Sequence, residues 1–345
     1  MYKIYIRNFL FYLFIIGFIT ISLIYNIDKP IILVLNSYNT DYSWTRDVNE
    51  GLKKVLTATG SYNVRWHYMD TKNYPSESHK QRAGLLARRV VDEIKPNIII
   101  AVDDDAQEYV AKYYIDRPYI DIVYSGVNAS PEAYGYEKAS NVTGILERLP
   151  LGGIRDTLLA ILKDNPSLPE IKILHLSDDS GTVQADDEFL HNFGKNWDPI
   201  KLRPSILVHK YSEWKKAVLN ADQEVNCLLI SNYRKVYDEN EKLVPAADIM
   251  KWTVENSKLP IVGVNGFTVE DGAKFAVATS PFEQGEVAAK MTLQILSGKK
   301  TTEIPITQSK QFIIYMRDKF EWSLPAIYEA FARAANKYWE SSKED

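Results

Sequence analysis

Short strands that are apolar from end to end alternate with helices along most of this chain. Ile31–Leu35 is such a strand, and Asn97–Val102 and Val225–Ile230 are apolar except for Asn97 and Asn226. A strand without a polar side must be covered on both faces, which is typical of parallel sheets flanked by helices. These strands form two runs, separated by a brief stretch at Gly144–Pro150. The pattern predicts an α/β fold with two doubly wound parallel-sheet lobes.

Periodicity and turn residues predict where the elements begin and end. In the first run we predict strands and helices at Ile31–Leu35, Trp44–Leu56, Asn63–Tyr68, Glu77–Ile94, Asn97–Val102, Asp103–Tyr114, Tyr119–Tyr124 and Val142–Leu146. In the second we predict them at Ile154–Leu162, Ile171–Leu176, Thr182–Phe193, Lys201–His209, Glu213–Asn220, Val225–Ile230, Ala247–Asn256, Pro260–Val264, Ala273–Ala278 and Phe282–Leu296. Two short strands, Glu303–Thr307 and Phe312–Met316, precede a terminal helix from Pro325 to Tyr338.

The first 28 residues have the pattern of an export segment. Lys3 and Arg7 precede an uncharged run, Phe9–Ile24, and Asp28 follows it. The run is shorter than the ~20 residues of a typical membrane span, and no small-residue cleavage site follows it. A cleaved signal peptide and an uncleaved inner-membrane anchor at residues 9–25 both fit. The basic start predicts that the rest of the chain is periplasmic or otherwise extracytoplasmic.

Composition excludes several classes of function. The single cysteine, Cys227, rules out an intramolecular disulfide and a cysteine-based zinc cluster. The net charge of −4 argues against a nucleic-acid binder. The five histidines lack metal-ligand spacing, and no phosphate loop, nucleophile elbow or zinc-protease motif occurs. We therefore expect no metal, no cofactor and no catalysis, although an enzyme with an unrecognised site remains an alternative.

Polar residues follow the predicted strands, where ligands bind in open parallel sheets. Asp103, Asp104, Ser180 and Thr182 also suit helix N-caps, and Trp44 suits either a ligand-facing wall or the core. A ligand amino group is an easier partner for the acidic loop than a cation. The candidate ligand-binding residues are Ser37, Tyr38, Trp44, Asp103, Asp104, Ser125, Asn128, Ser180, Thr182, Asn232, Tyr233 and Asn265.

At several of these loops the chain resembles the type I periplasmic binding proteins. The resemblance is to the ABC-transporter substrate-binding proteins related to the tryptophan/tyrosine-type binders. The stretches that carry it are Ile32–Tyr38 with Trp44–Asp47, Val102–Ala106, Ser125–Asn128, Val142–Ile145, and Pro281–Gly285 through Ile295–Lys299.

The resemblance implies three crossings between lobes, near residues 146, 277 and 301. The first lobe would comprise 29–146 and 278–300, the second 147–277 and 301–318, with a helix and tail at 319–345. Hinge closure would hold a small polar ligand, preferably amino-acid-like, between the lobes. The closed form of a monomer would then meet an ABC permease and, through it, the ATPase.

A second function fits the same motifs. The opening strand and the acidic loop also resemble extracytoplasmic sensor domains joined to histidine kinases or diguanylate cyclases. An anchored ligand-sensing module that signals through a partner kinase or cyclase is therefore the alternative to transport.

Overall fold

The chain folds into two α/β units. The computed structural model describes residues 2–27, 29–56, 61–162, 170–317, 331, 333, 335 and 337–339. The first unit contains the chain up to Ile145 together with Gln284–Ile306, and the second contains Leu146–Glu283 and the chain from Thr307 onward. The chain therefore passes from one unit to the other after Ile145, after Glu283 and after Ile306.

Ten helices and fourteen strands are assigned within the described residues. Up to the first crossing they are α1 (Tyr2–Ile27), β1 (Ile31–Asn36), α2 (Ser43–Val55), β2 (Asn63–Tyr68), α3 (Glu77–Ile94), β3 (Ile98–Val102), α4 (Asp104–Tyr109), β4 (Asp121–Val127) and β5 (Val142–Leu146). Up to the second crossing they are α5 (Leu151–Leu162), β6 (Lys172–Asp178), α6 (Gly181–Asn192), β7 (Lys201–Leu202), β8 (Ile206–Val208), α7 (Tyr211–Asn220), β9 (Cys227–Ile230), α8 (Ala246–Asn256), β10 (Ile261–Gly263), α9 (Phe267–Glu270) and β11 (Phe275–Thr279). The rest are α10 (Pro281–Leu296), β12 (Thr307–Gln308), β13 (Phe312–Arg317) and β14 (Lys337–Trp339).

The sheet of the first unit carries its strands in the order β5-β4-β3-β1-β2. β1 runs parallel to β2 and β3, and β3 runs parallel to β4. Val34, Ile100 and Val123 lie on one face, where they pack with Val48 and Leu52 of α2. Residues of α10 join the same cluster. The continuous apolar runs of β1 and β3 are thus buried, as the sequence predicts.

The sheet of the second unit has the order β14-β13-β11-β10-β9-β6-β7, and β8 also pairs with β6. The pairs from β6 to β11 are parallel, but β13 runs antiparallel to β11. The predicted parallel character holds from β6 to β11, and β13 adds an antiparallel strand beside β11. After β11 the chain passes into the first unit and returns to the second at Thr307. β13 therefore starts at the opposite end of the sheet from β11. The prediction of two doubly wound α/β lobes is confirmed.

Some predicted elements have different limits in the structure. The strand predicted at Lys201–His209 is two short strands, because Pro204 has no N–H to donate to a sheet ladder. The strand predicted at Glu303–Thr307 is wrong, since Thr301–Glu303 is a 3₁₀ turn and β12 begins at Thr307. The helix predicted at Asp103–Tyr114 ends at Tyr109, and a 3₁₀ turn follows at Ala111–Tyr114.

The structure describes only part of the residues for which the sequence predicts elements at the two ends of the chain. The terminal helix predicted from Pro325 to Tyr338 lies largely outside the described residues, and Lys337–Trp339 forms β14 beside β13. The N-terminal run is helical, and its large apolar side chains between Tyr5 and Ile21 are mostly exposed. Among the described residues, no helix combines the length and the hydropathy that crossing a membrane requires.

Candidate ligand-binding site

The ends of three strands line up at one edge of the first sheet. Asn36 of β1 is in register with Val102 of β3, and Val102 is in register with Ser125 of β4. The loops that follow these strands therefore begin side by side. Ser37 fixes their base, because its buried Oγ donates to the carbonyl of Val102 over 2.7 Å and accepts from the N–H of Ala106 at 2.8 Å.

Asp103 links the loop after β3 to α2. Its Oδ1 accepts a hydrogen bond of 2.9 Å from Nε1 of Trp44, and its backbone N–H donates to the carbonyl of Ser125 over 2.8 Å. The residue has φ 67°, in the left-handed region that non-glycine residues rarely occupy. Trp44 is half-buried, so it both packs against this loop and keeps part of its ring exposed.

Asp104 organises the loop after β4. Its Oδ1 accepts from the hydroxyl of Tyr134 at 2.7 Å and from the N–H of Ala129 at 3.1 Å. Its Oδ2 accepts from the backbone N–H and, more weakly, the side-chain amide of Asn128, at 3.2 and 3.4 Å. Burial, reinforced by the charge of Asp104, raises the pKa of Tyr134 far above its usual range. The carboxylate expected to meet a ligand thus already holds four hydrogen bonds from protein groups.

The loop after β1 places aromatic rings near these carboxylates. Burial raises the pKa of Tyr38 well above its ordinary value, and the charges of Asp103 and Asp105 raise it further. Nζ of Lys72 lies 5.1 Å from the ring centroid of Tyr38 and 4.8 Å from that of Tyr42. The carboxylates of this edge thus act on Tyr38, while Lys72 beside the rings and Lys80 on Asp105 balance part of their charge.

Two further polar side chains at this edge are fully buried. Within the described part of the chain, neither the amide of Asn36 nor the hydroxyl of Ser125 has a hydrogen-bond partner. Ser125 lies inside β4, which extends to Val127, whereas the sequence predicted it in a loop. Buried polar groups of this kind are uncommon in proteins.

The corresponding edge of the second unit is held by Ser177 and Asp178, at the end of β6. Oγ of Ser177 donates to the carbonyl of Asn232 over 2.8 Å and accepts from its N–H at 3.0 Å. Asp178 accepts from the N–H groups of Ser180 and Lys235, each at 3.0 Å. The hydroxyl of Ser180 is buried without a partner among the described residues.

The remaining candidates of this unit differ in accessibility. Asn232 is half-buried, and its Oδ1 accepts from the N–H groups of Tyr233 and Arg234 at 2.9 and 3.2 Å. Asn265 is also half-buried, and its amide donates to the carbonyl of Ser231 over 2.8 Å. Thr182 lies in the first turn of α6. Tyr233 is fully buried in the core, so the structure places its ring away from solvent.

Arg234, which is not among the candidates named from the sequence, is a partly exposed cation of this edge. Its Nη2 donates to Oδ2 of Asp271 over 3.1 Å, and its guanidinium carbon lies 4.4 Å from the ring centroid of Phe267. The hydroxyl of Tyr233 donates to the same Oδ2 over 2.7 Å. The side chain of Arg234 remains 37% exposed, which leaves donors available to an anionic group.

A buried histidine, His175, supports this edge through its hydrogen bonds. No pattern in the sequence indicated this role. Nε2 of His175 lies 2.8 Å from Oγ of Ser231, and its Nδ1 lies 2.9 Å from Oδ1 of Asp187. The hydrogen bond to His175 lowers the pKa of Asp187. Ser231 in turn donates to Ser177 over 2.9 Å. Among the described residues, no cluster of three histidine, cysteine or acidic side chains could hold a metal ion.

Solved structures share this architecture. The ligand-free, open structure of CD0873, a substrate-binding protein with adhesive properties from Clostridium difficile, has a TM-score of 0.62 at 15% identity, covering 90% of this chain and 100% of its own. A conserved domain protein from Vibrio cholerae has a TM-score of 0.61 at 16% identity, with the same coverage. An ABC domain in complex with L-Trp from Streptococcus pneumonia has a TM-score of 0.55 at 14% identity, covering 89% and 99%. A comparison with curated protein sequences finds no match.

These likenesses, with the two α/β units and three crossings, define the fold of a type I periplasmic binding protein. The family model described as ABC transporter substrate binding protein matches residues 43–320. The chain belongs to this family, whose members bind solutes outside the cytoplasm and are not a class of enzymes. The resemblance noted in the sequence is thereby confirmed.

Proposed function

We propose that this protein captures a small, amino-acid-like solute and delivers it to an ABC permease. The observation that carries the proposal is the pair of polar strand-end edges, one in each unit, within a family of substrate-binding proteins. The ligand would be held between the two units and would select a closed form, because it contacts both units only when they close. The protein would act as a monomer. The permease would carry the solute across the membrane, driven by ATP hydrolysis at its ATPase.

The charges of the two edges support a zwitterionic ligand. The edge of the first unit carries the carboxylate of Asp103 near Tyr38, which suits an ammonium group. The edge of the second unit presents Arg234, whose planar guanidinium suits a carboxylate.

The proposed contacts are therefore assigned by accessibility. Accessibility favours the partly exposed Tyr38, Trp44 and Asn128 in the first unit and Asn232, Arg234 and Asn265 in the second, and Asp103, Ser180 and Thr182 are added because they follow β3 and β6. Ser37, Asp104, Ser125 and Tyr233 are proposed to shape the two edges rather than to contact the ligand directly.

A thermal-shift screen of amino acids, sugars and nucleosides tests this function. A true ligand at roughly 100 times its dissociation constant stabilises a protein by about 2.7 kcal/mol. We expect a shift with an amino acid or a related amine and none with sugars. Calorimetry then measures affinity, and mass spectrometry of the ligand after incubation checks that it is not chemically altered. A sugar or nucleoside as the sole stabilising class would contradict the proposed ligand, and turnover would contradict a purely binding role.

The N-terminal segment is proposed to direct export. Lys3 and Arg7 before the uncharged run would keep that end inside while the remaining chain is translocated. Mass spectrometry of the native protein distinguishes the two forms of this proposal. A mature chain that begins after residue 25 identifies a signal peptide, whereas an intact N-terminus in the membrane fraction identifies an anchor. An intact chain recovered from the cytosol would contradict export.

A further inference from the structure

Two asparagine side chains lie at neighbouring strand ends of the second unit. β10 pairs with β9 in parallel, with Gly263 in register with Ile230. Two residues further along each segment, Asn265 follows β10 and Asn232 follows β9, and both residues are half-buried. Neighbouring strands lie about 5 Å apart. The two amides are therefore placed to bind two polar groups of one small molecule.

The amide of Asn232 presents its N–H groups to a ligand. Its Oδ1 accepts hydrogen bonds from the backbone N–H groups of Tyr233 and Arg234, at 2.9 and 3.2 Å. If the amide were rotated by half a turn, its NH2 group would face two other donors, which is unfavourable. Among the hydrogen bonds that the described residues make, none uses Nδ2 of Asn232. This point of the edge therefore offers a donor.

The amide of Asn265 has the opposite orientation. Its Nδ2 donates to the carbonyl of Ser231 over 2.8 Å. A rotated amide would set its oxygen against that carbonyl oxygen, so the orientation is fixed in the same way. Oδ1 of Asn265 accepts no hydrogen bond from the described residues. The edge thus presents a donor at Asn232 and an acceptor at Asn265.

A buried network fixes the two amides relative to each other. Ser231, whose carbonyl orients Asn265, is fully buried. Its Oγ lies 2.8 Å from Nε2 of His175 and donates to Oγ of Ser177 over 2.9 Å. Ser177 in turn binds both backbone polar groups of Asn232. The same set of hydrogen bonds therefore holds the strand ends that carry both asparagines.

An α-amino acid has the polarity that this pair of amides requires. Its carboxylate only accepts hydrogen bonds, which suits Nδ2 of Asn232 and the cation of Arg234 two residues further along the chain. Its ammonium group only donates, which suits Oδ1 of Asn265. A dicarboxylate would set an acceptor against the oxygen of Asn265, and a diamine would set a donor against the NH2 group of Asn232.

We propose that Asn232 and Asn265 are specificity-determining residues, which select an α-amino acid by the opposite polarity of its carboxylate and its ammonium group. The proposal rests on the proposed capture of an amino-acid-like solute, and it adds which part of that solute the second unit recognises. It excludes dicarboxylates, diamines and α-keto acids as solutes, whatever side chain the amino acid carries.

NMR of the full chain labelled with ¹⁵N-asparagine tests the two orientations without a ligand. Asn232→Asp and Asn265→Leu identify the two side-chain signals by their loss. A side-chain amide proton of Asn265 is expected to exchange about tenfold more slowly than those of Asn232, because only the former donates to a buried carbonyl. Equal exchange of the two amides, or slower exchange at Asn232, would overturn the assigned polarity.

Calorimetry with four compounds that share one side chain tests the selection. They are the best amino acid from the screen, its α-hydroxy acid, its α-keto acid and the amine left by decarboxylation. The wild-type protein is expected to prefer the amino acid to the keto acid and to the amine by at least about tenfold. The hydroxy acid keeps a donor at the α position, so it is expected to bind more tightly than the keto acid.

Two variants separate the two contacts, because a ratio of affinities within one variant does not depend on its stability. Asn265→Leu, which has a similar volume but no acceptor, is expected to reduce the preference over the keto acid about tenfold. Asn232→Asp, which sets a carboxylate against that of the amino acid, is expected to reduce the preference over the amine about tenfold. Asn240→Asp, at an exposed position of the same unit, is the matched control and keeps both ratios.

The outcomes distinguish the selection from the proposed function. An unchanged ratio in either variant, or a keto acid that binds the wild-type protein as tightly as the amino acid does, would overturn the selection while capture of an amino acid stands. If none of the four compounds binds, the proposed function fails and the selection fails with it.

Discussion

Nε1 of Trp44 donates a hydrogen bond of 2.9 Å to Oδ1 of Asp103, across 59 residues of sequence. The bond joins the first turn of α2 to the loop after β3, and it places an aromatic ring beside a carboxylate at the edge of the first sheet. The sequence allowed Trp44 either a ligand-facing or a core position. The structure places the ring half-buried against the core of the first unit, with its polar atom on an acidic group, and contact with a ligand stays a prediction.

Arg234→Gln is expected to weaken binding of an amino-acid ligand by more than tenfold. Charge-assisted hydrogen bonds contribute about 1.5–3 kcal/mol, and about 1.4 kcal/mol corresponds to a factor of ten in affinity. Lys235→Gln is the matched control, because its backbone N–H binds Asp178 while its side chain is exposed. Calorimetry measures both variants. Equal affinities for the two variants would remove Arg234 from the ligand contacts.

Asp104→Asn is expected to lower stability as well as affinity. The substitution removes the negative charge and replaces one acceptor oxygen by an amide, while the groups that donated to the carboxylate stay in place. A buried donor that loses its acceptor lowers the free energy of unfolding by about 1–3 kcal/mol, a difference that urea unfolding resolves. Asp105→Asn, whose carboxylate forms a partly exposed ion pair with Lys80, is expected to cost less than about 1 kcal/mol. A stable Asp104→Asn variant with reduced affinity would instead identify Asp104 as a direct ligand contact.

Asp186 and Asp187, neighbours on α6, are expected to respond to pH in opposite directions. Burial raises the pKa of Asp186 to about 7, whereas the hydrogen bond to His175 lowers the pKa of Asp187. An unfolded aspartate titrates near pH ~3.9. The protein therefore loses the contribution of Asp186 to stability as pH rises from about 4 through 7, and loses that of Asp187 as pH falls below about 3.9.

The two asparagine variants separate these effects. Asp186→Asn is expected to be more stable than the wild type at pH 8 and to lose this advantage below pH ~4. Asp187→Asn is expected to be less stable at neutral pH, with a difference that narrows in acid. Urea unfolding between pH 3 and 8 measures both. A gain in stability for Asp187→Asn at pH 8 would contradict the role assigned to its bond with His175.

Gly285→Ala is expected to destabilise the first unit by about 3 kcal/mol, at the upper end of typical overpacking costs. The added methyl group would meet backbone atoms of α2, which cannot give way as a flexible side chain can. Gly152→Ala, with no heavy atom within 4 Å of the added Cβ, is the control and is expected to be neutral or slightly stabilising. Equal unfolding midpoints for the two variants would show that α10 and α2 separate more easily than the structure indicates.

The elements most dependent on local pattern could be predicted from the sequence. Asn63–Tyr68 and Glu77–Ile94 match the structure at both ends, because their limits are set by nearby residues such as Ser76 at the N-cap of α3. The buried strands followed from their uniform apolar character. The direction of β13 could not be predicted, since it depends on where the chain re-enters the second unit.

Candidates such as Asn232 and Asn265 follow strands as predicted, whereas Ser125 lies within β4, and the internal contacts of these loops were not accessible to sequence reasoning. Oε1 of Gln284 and the N–H of Gly126 are 158 residues apart, and no local pattern relates them. The left-handed conformation of Asp103 is likewise imposed by its surroundings, since its residue type does not require it. The same applies to the bonds that hold Asp104 within its own unit.

Small-angle X-ray scattering with and without ligand tests the central claim most directly. The radius of gyration of the wild-type protein is expected to fall when a saturating amino acid from the screen is added, because the two units close on it. A ligand-bound protein whose scattering curve superimposes on that of the free protein would contradict capture by closure.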